Sequence, residues 1–128
     1  VNNSIGFPGI LKGALMVRAK KITDNMAIAA AHSLADYAEK RGINPENIVP
    51  NMDEAGVFPH EAADVAMQAI ADGVARNVIS REEAFEWAKK DIEYSRNMAH
   101  SLSENGFVTD PPAEMIEEAL QFAVSQTK

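Results

Sequence analysis

The amino-acid sequence predicts a mainly α fold of about five helices. Apolar residues recur at three- and four-residue intervals through most of the 128 residues, the spacing that lines one face of a helix. Helix-start signals stand at Pro8, Thr23, Pro59, Ser80 and Asp110, and stop signals at Gly42 and Asn105-Gly106. Only Ile48-Val49-Pro50 reads as extended, and Pro50 ends it at once.

The first helix is expected from about Pro8 to Arg18, because a proline needs no N–H in a first helical turn. Ile10, Leu11, Ala14, Leu15 and Val17 make it apolar nearly all round, so it requires a cover. Thr23 caps a second helix over Asp24 to Lys40. Its stripe is Met26, Ala30, Leu34 and Tyr37, with a small-residue flank of Ala27, Ala31, Ala35 and Ala38 suited to close packing. Lys40 and Arg41 suit the last turn, and Gly42 stops it. Asn44-Pro45 opens a turn, and residues 51–58 read as a loop.

Pro59 begins a third helix over about His60 to Ala75, with Ala62, Val65, Ala66, Ala69, Ile70, Gly73 and Val74 on one face. Ser80 with Glu83 has capping-box spacing, so a fourth helix starts at Arg81 and runs to Glu104. Its apolar face is Ala84, Ala88, Ile92 and Leu102, widened by Trp87 and Met98. Asp110-Pro111 starts the last helix, with Ile116, Ala119, Leu120 and Ala123 expected to face inward.

With 46% hydrophobic and 24% charged residues, the composition is that of a folded globular chain. A net charge of −7 argues against a nucleic-acid partner, which requires clustered cations. The one basic cluster, Lys12, Arg18, Lys20 and Lys21, reads as a solvated helix end. Without cysteine there are no disulfides or thiolate zinc sites. No apolar run reaches membrane-spanning length and no signal-peptide pattern is present, so a cytoplasmic, membrane-free protein is expected.

Few constellations suggest chemistry. His60 and Asp64 have the spacing of two ligands on a helical zinc motif, but no third ligand is identifiable, so no metal site is assigned and the acids read as ordinary helix-start residues. His32 and His100 read as packed or surface histidines. The pairs Asp53-Glu54, Glu82-Glu83 and Glu117-Glu118 read as solvated, since adjacent residues on a helix do not face each other. No serine has a histidine partner or nucleophile elbow, and no Gly-x-Gly-x-x-Gly is present. No catalytic residue is assigned.

The most distinctive stretch is the first, Val1-Asn2-Asn3-Ser4-Ile5-Gly6-Phe7-Pro8-Gly9-Ile10. Asn2 and Asn3 present uncharged donors and acceptors where an incoming segment meets a helix, a place where α/β enzymes bind ligands. They serve equally well as caps and turn formers. Val1 is not methionine and the chain opens inside this motif, so a piece of a longer polypeptide is expected.

Val1-Asn2-Asn3, Phe7-Pro8-Gly9-Ile10, Gly13-Ala14-Leu15 and Val17-Arg18-Ala19 resemble the C-terminal part of malic enzymes, the decarboxylating malate dehydrogenases. The resemblance continues through Ile22 to Ala31, at Asn47-Ile48-Val49-Pro50, and from Val65 to Arg76. Leu11-Lys12 and Met16 depart from the family's usual aromatic-arginine pair and aspartate. The resemblance implies that residues 1–77 end an α/β, Rossmann-like NAD(P)-binding domain and that 78–128 form a C-terminal helical extension packed as one unit with it. It implies conversion of malate to pyruvate and CO2 with NAD or NADP. A divalent metal, Mg or Mn, would be bound by an N-terminal part outside this chain, without which the chain would be inactive. Asn2 and Asn3 match the paired asparagines that contact malate and lie beside the nicotinamide, so both substrate and cofactor contacts are implied there. A homo-oligomer is expected. Two other readings stand: a malolactic enzyme, similar over the same residues, and a non-catalytic helical interaction or oligomerisation module, suggested by the apolar first helix.

Overall fold

The computed structural model describes residues 3–127, and of Asn3 the helical backbone alone. Its element order is α1 (Asn3–Met16), α2 (Asp24–Arg41), α3 (Val57–Ala71), α4 (Arg81–Glu104) and α5 (Ala113–Gln126). There are no strands among the described residues, only an isolated bridge between Asn44 and Asn47. The mainly α, five-helix expectation therefore holds, and the deviations lie at helix ends and in which faces are buried.

The chain forms two compact units, Val1–Tyr94 and Ser95–Lys128. In the first, α3 is central and packs against both α1 and α2. Met26 of α2, Val17 after α1, Val57, Ala62, Val65, Ala66 and Ala69 of α3, and Ala84 and Ala88 of α4 are fully buried. Small residues dominate this core, so helix backbones approach closely.

α1 begins five residues before Pro8 and places that proline inside the helix. A proline there costs one ladder hydrogen bond, since it has no N–H. The packing against α3 offsets that loss, because Ile5 and Gly9, on the two sides of Pro8, are both buried. Nor is α1 covered all round: Phe7 and Leu15 point outward. The helix ends at Met16, two residues earlier than its apolar pattern suggested. Arg18 takes a left-handed φ of 50° there, and Ala19 N–H donates to Ala14 C=O at 2.8 Å.

Thr23 caps α2 as its position predicted, Oγ1 accepting from Met26 N–H at 3.2 Å. The same hydroxyl donates to Asp72 Oδ2 at 2.5 Å and so ties the start of α2 to the end of α3. Asn25 and Gln68 also donate to Asp72, and these bonds, Thr23's first, hold its carboxyl below the usual range. Met26, Ala30, Ser33 and Ala38 are buried, whereas Ala27, Ala31 and Ala35 of the expected packing flank are exposed. At the C-terminus Gly42 takes a φ of 101° and its N–H returns to Ala38 C=O. Arg41 then pairs with Glu54 and donates to Asn47 O and Oδ1 at 3.1 and 2.9 Å, organising the loop before α3. Glu54 is thus a paired, half-buried acid rather than a solvated one.

α3 starts at Val57 and ends at Ala71, not Ala75. Gly73, read as a helical position, has a left-handed φ of 68°. Val74 N–H donates back to Ala69 C=O, and the chain turns to meet the end of α1. Arg76 N–H and Asn77 N–H donate to Val17 C=O, and Lys20 N–H donates to Val74 C=O. α4 has its predicted bounds and capping box: Ser80 N–H and Oγ–H both donate to Glu83 Oε2 at 2.8 Å, and Glu83 N–H returns to Ser80 Oγ.

The second unit comprises the end of α4, a turn and α5. Phe107 N–H and Val108 N–H close α4 on Leu102 C=O beside Gly106, whose φ is 71°. α5 starts at Ala113, after Pro111 and Pro112. Ile116, Ala119, Leu120 and Ala123, expected to face a core, are exposed, as is every described residue from 93 to 127. Two short helical segments provide too little area to bury an apolar stripe.

Candidate functional site

α1 carries glycines at positions 6, 9 and 13, intervals of three and four that set them on one face. That face meets α3. A Cβ at Gly13 would lie 2.6 Å from Ala62 O and 2.8 Å from Val65 Cβ, so here only glycine lets the helices approach. At Gly9 the obstruction is a carboxyl group. A Cβ there would lie 2.1 Å from Glu61 Oε2 and 2.4 Å from Glu61 Cγ. Glu61 Oε1 reaches further along the same face, 3.8 Å from a Cβ built on Gly6.

Glu61 is fully buried, and neither of its oxygens has a hydrogen-bond partner among the described residues. Burial pushes its carboxyl from the ordinary 4.5 up to about 8. The Gly9 backbone N–H favours the anion slightly but lies outside hydrogen-bonding geometry. Near neutral pH the group is therefore an uncharged acid. The expectation that the acids following Pro59 are ordinary helix-start residues fails at Glu61, because the glycine face of α1 closes over it.

Asn2 lies outside the described residues. Asn3 is the first residue of α1, and its side chain is likewise undescribed. The structure therefore adds one relation to that pair: Asn3 opens the helix whose glycine face receives Glu61, one turn before Gly6.

A polar cleft of about 430 Å³ lies between α2, α3 and the start of α4, lined by Ser33, Asp36, Tyr37, Lys40, Arg41, His60, Asp64 and Arg81. His60 packs between Tyr37 and Phe85, with ring centroids 6.1 and 4.7 Å away. Burial, then the Arg81 charge, lowers its pKa; Asp64 opposes them and Lys40 adds to the lowering. Asp64 accepts from Arg81 Nε at 2.8 Å. His60 and Asp64 thus line the same cleft but engage different partners. No group of three or more His, Asp or Glu that could hold a metal occurs among the described residues. His100 sits on the surface, 3.0 Å from Glu104, and His32 is exposed.

Lys12, grouped above with a solvated basic cluster, instead pairs with Asp91 of α4 and sits 5.7 Å from the Trp87 ring centroid. Arg18, Lys20 and Lys21 lie beyond the end of α1, which stops at Met16. Among the described residues no helix is long and apolar enough to cross a membrane.

α1 thus opens at Asn3 and packs against α3 by its glycine face. Residues 1–74 match the family model described as malic enzyme, NAD binding domain. The chain belongs to the malic enzyme family. Over 98% of its length it superposes on the crystal structure of Entamoeba histolytica malic enzyme, with 56% identity and a TM-score of 0.94, covering 26% of that chain. It superposes over 81% of its length on malic enzyme from Pyrococcus horikoshii Ot3, with 40% identity and a TM-score of 0.74, covering 24% of that chain. It is 38% identical over 90 residues to the bifunctional malic/malolactic enzyme of Bacillus subtilis, across 70% of this chain and 22% of that protein. The chain thus spans about a quarter or less of these relatives.

Proposed function

We propose that this chain is the C-terminal portion of a malic enzyme, which oxidises malate with NAD or NADP and releases pyruvate and CO2. The observation that carries the reading is the 56% identity to a malic enzyme of known structure across nearly the whole chain. In this reading residues 1–77 end the NAD(P)-binding domain and 78–128 are its helical extension. Asn2 and Asn3 hold malate and border the nicotinamide. A carboxamide N–H donates to a carboxylate oxygen without adding charge, so the pair contributes orientation and neither acts as a base.

The described residues do not fit a divalent metal, since no three ligands converge among them. Mg or Mn, the acid–base groups and the phosphate-binding glycine loop are therefore assigned to the rest of the enzyme. The exposed Phe107, Ile116, Leu120 and Phe122 support a covering surface in the intact protein, and a homo-oligomer is part of the proposal. So is a cytoplasmic location.

The test is malate-dependent reduction of NAD or NADP by the intact enzyme with Mg or Mn. Asn2→Ala or Asn3→Ala should lower kcat/KM for malate about tenfold or more if a charged hydrogen bond is lost. Unchanged kinetics in both variants would remove the assignment of the pair. A malolactic reading is favoured by one observation, the bifunctional description of the Bacillus relative. Product analysis, lactate against pyruvate, separates the two.

A further inference from the structure

Glu61 is a buried acid that the proposed chemistry does not use. It lies against α1, whose first residue is Asn3, one of the substrate-binding asparagines of the preceding proposal, on which this inference rests. We propose that Glu61 is a positioning residue: its carboxyl seals the glycine face of α1 against α3 and so fixes the first turn of that helix, which opens at Asn3. The carboxyl occupies the space that a Cβ at Gly9 would take, and it reaches toward Gly6. With no partner among the described residues, its neutral form is a close-packed filler. Its anion is an uncompensated buried charge pressed on α1. Ionisation therefore drives α1 from α3 and displaces the first turn of α1, at which Asn3 stands.

Among the described residues no charged neighbour relieves that anion. Lys12, the one charged residue of α1, is engaged with Asp91. On α3 itself, His60 packs with Tyr37 and Phe85, and Asp64 pairs with Arg81. From α2, Asp36, Lys40 and Arg41 line the His60 cleft, and Arg41 is paired with Glu54. None of these contributes to the displacement of Glu61's titration, whose causes are burial and the Gly9 backbone.

The test compares the intact enzyme with its Glu61→Gln variant from pH 6 to 9.5, by malate kinetics and by hydrogen-exchange protection of peptides from α1. In the parent enzyme, protection of α1 should fall about tenfold per pH unit up to about pH 8 and level off above it, and KM for malate should rise over the same range with kcat changed less than twofold. In Glu61→Gln both should stay level, because the side chain keeps its shape and cannot ionise. The same fall in both proteins overturns the inference. A fall in protection with level KM overturns the link to the asparagines. If Glu61→Gln does not fold, Glu61→Leu replaces it, and failure of both uncharged variants also overturns the inference. An intact enzyme without malate-dependent turnover refutes the proposed function instead, and the exchange profiles of α1 still decide the role of Glu61.

Discussion

The largest energetic consequence of this architecture is a pH slope in stability that one substitution should erase. The perturbation is Glu61→Gln. The carboxyl titrates near 4.5 in an unfolded chain and near 8 when folded, so the folded state keeps a proton that the unfolded state releases. Raising the pH therefore favours unfolding. The contribution of Glu61 is intact below about pH 4.5, declines as pH rises toward the folded value, and is constant above it. A difference of about 3.5 units corresponds to a loss of about 5 kcal/mol over that window, of which about 3 kcal/mol is already lost at pH 7. This is a large share of the 5–15 kcal/mol that typically holds a domain together. Glutamine has nothing to titrate, and its amide replaces a carboxyl that also lacks partners, so no satisfied hydrogen bond is sacrificed. Native-state hydrogen exchange on α1 and α3 peptides of the intact enzyme, read as opening free energy, should show this slope between pH 5 and 8 in the parent and its absence in Glu61→Gln. A slope of equal size in the variant would refute the reasoning, because the proton uptake would then belong to another group.

Four further outcomes follow from the same structure. Gly13→Ala should destabilise by about 2–3 kcal/mol, since its Cβ meets the Ala62 carbonyl oxygen and Val65, neither of which can swing away. Gly9→Ala should also destabilise, but Glu61→Ala should rescue it, and a double-mutant cycle by thermal unfolding would expose that coupling. Arg18→Gly should preserve or raise stability by about 1 kcal/mol, because a left-handed φ costs glycine nothing; a lower melting temperature would show that the arginine side chain holds the end of α1. Thr23→Val should cost about 1–2 kcal/mol through the lost cap and the lost bond to Asp72, and should raise the Asp72 pKa, measurable by NMR titration.

Much of the architecture was legible because its determinants are local. Thr23, Ser80 with Glu83, and Gly42 mark helix ends through bonds made within a few residues, and the structure has those bonds where the spacing put them. Local signals misled where a tertiary contact outweighed them. Pro8 is a sound first-turn residue, yet α1 begins at Asn3, and its burial extends back to Ile5 and its approach to Glu61 of α3 to Gly6. Gly73 fits a helical register until the end of α1 calls its neighbours into bonds with Val17. Ile116, Ala119, Leu120 and Ala123 of α5, expected to face inward, are exposed, because an apolar stripe says nothing of what covers it.

Glu61 shows why a functional residue can be hidden in a sequence that otherwise yields its fold. In its own helix it stands among Ala62, Val65, Ala66 and Ala69, on what would be a plain apolar face, and an acid after Pro59 is unremarkable by local rules. What makes it unusual is more than fifty residues earlier. The glycines at 6 and 9 leave a furrow in α1 that a larger residue would fill, and a buried carboxyl requires such a furrow. The pairing could have been found by asking which acid on a core-facing stripe lies opposite a helix with glycines at intervals of three and four. The answer has a functional direction as well as a structural one. Removing the carboxyl should not weaken the α1–α3 contact if its shape is kept, whereas charging it should. A residue retained only for packing would be better served by an apolar side chain. The acid at position 61 is therefore informative for what it does when it ionises, and the first turn of α1, which opens at Asn3, is the part of the helix that its charge would disturb.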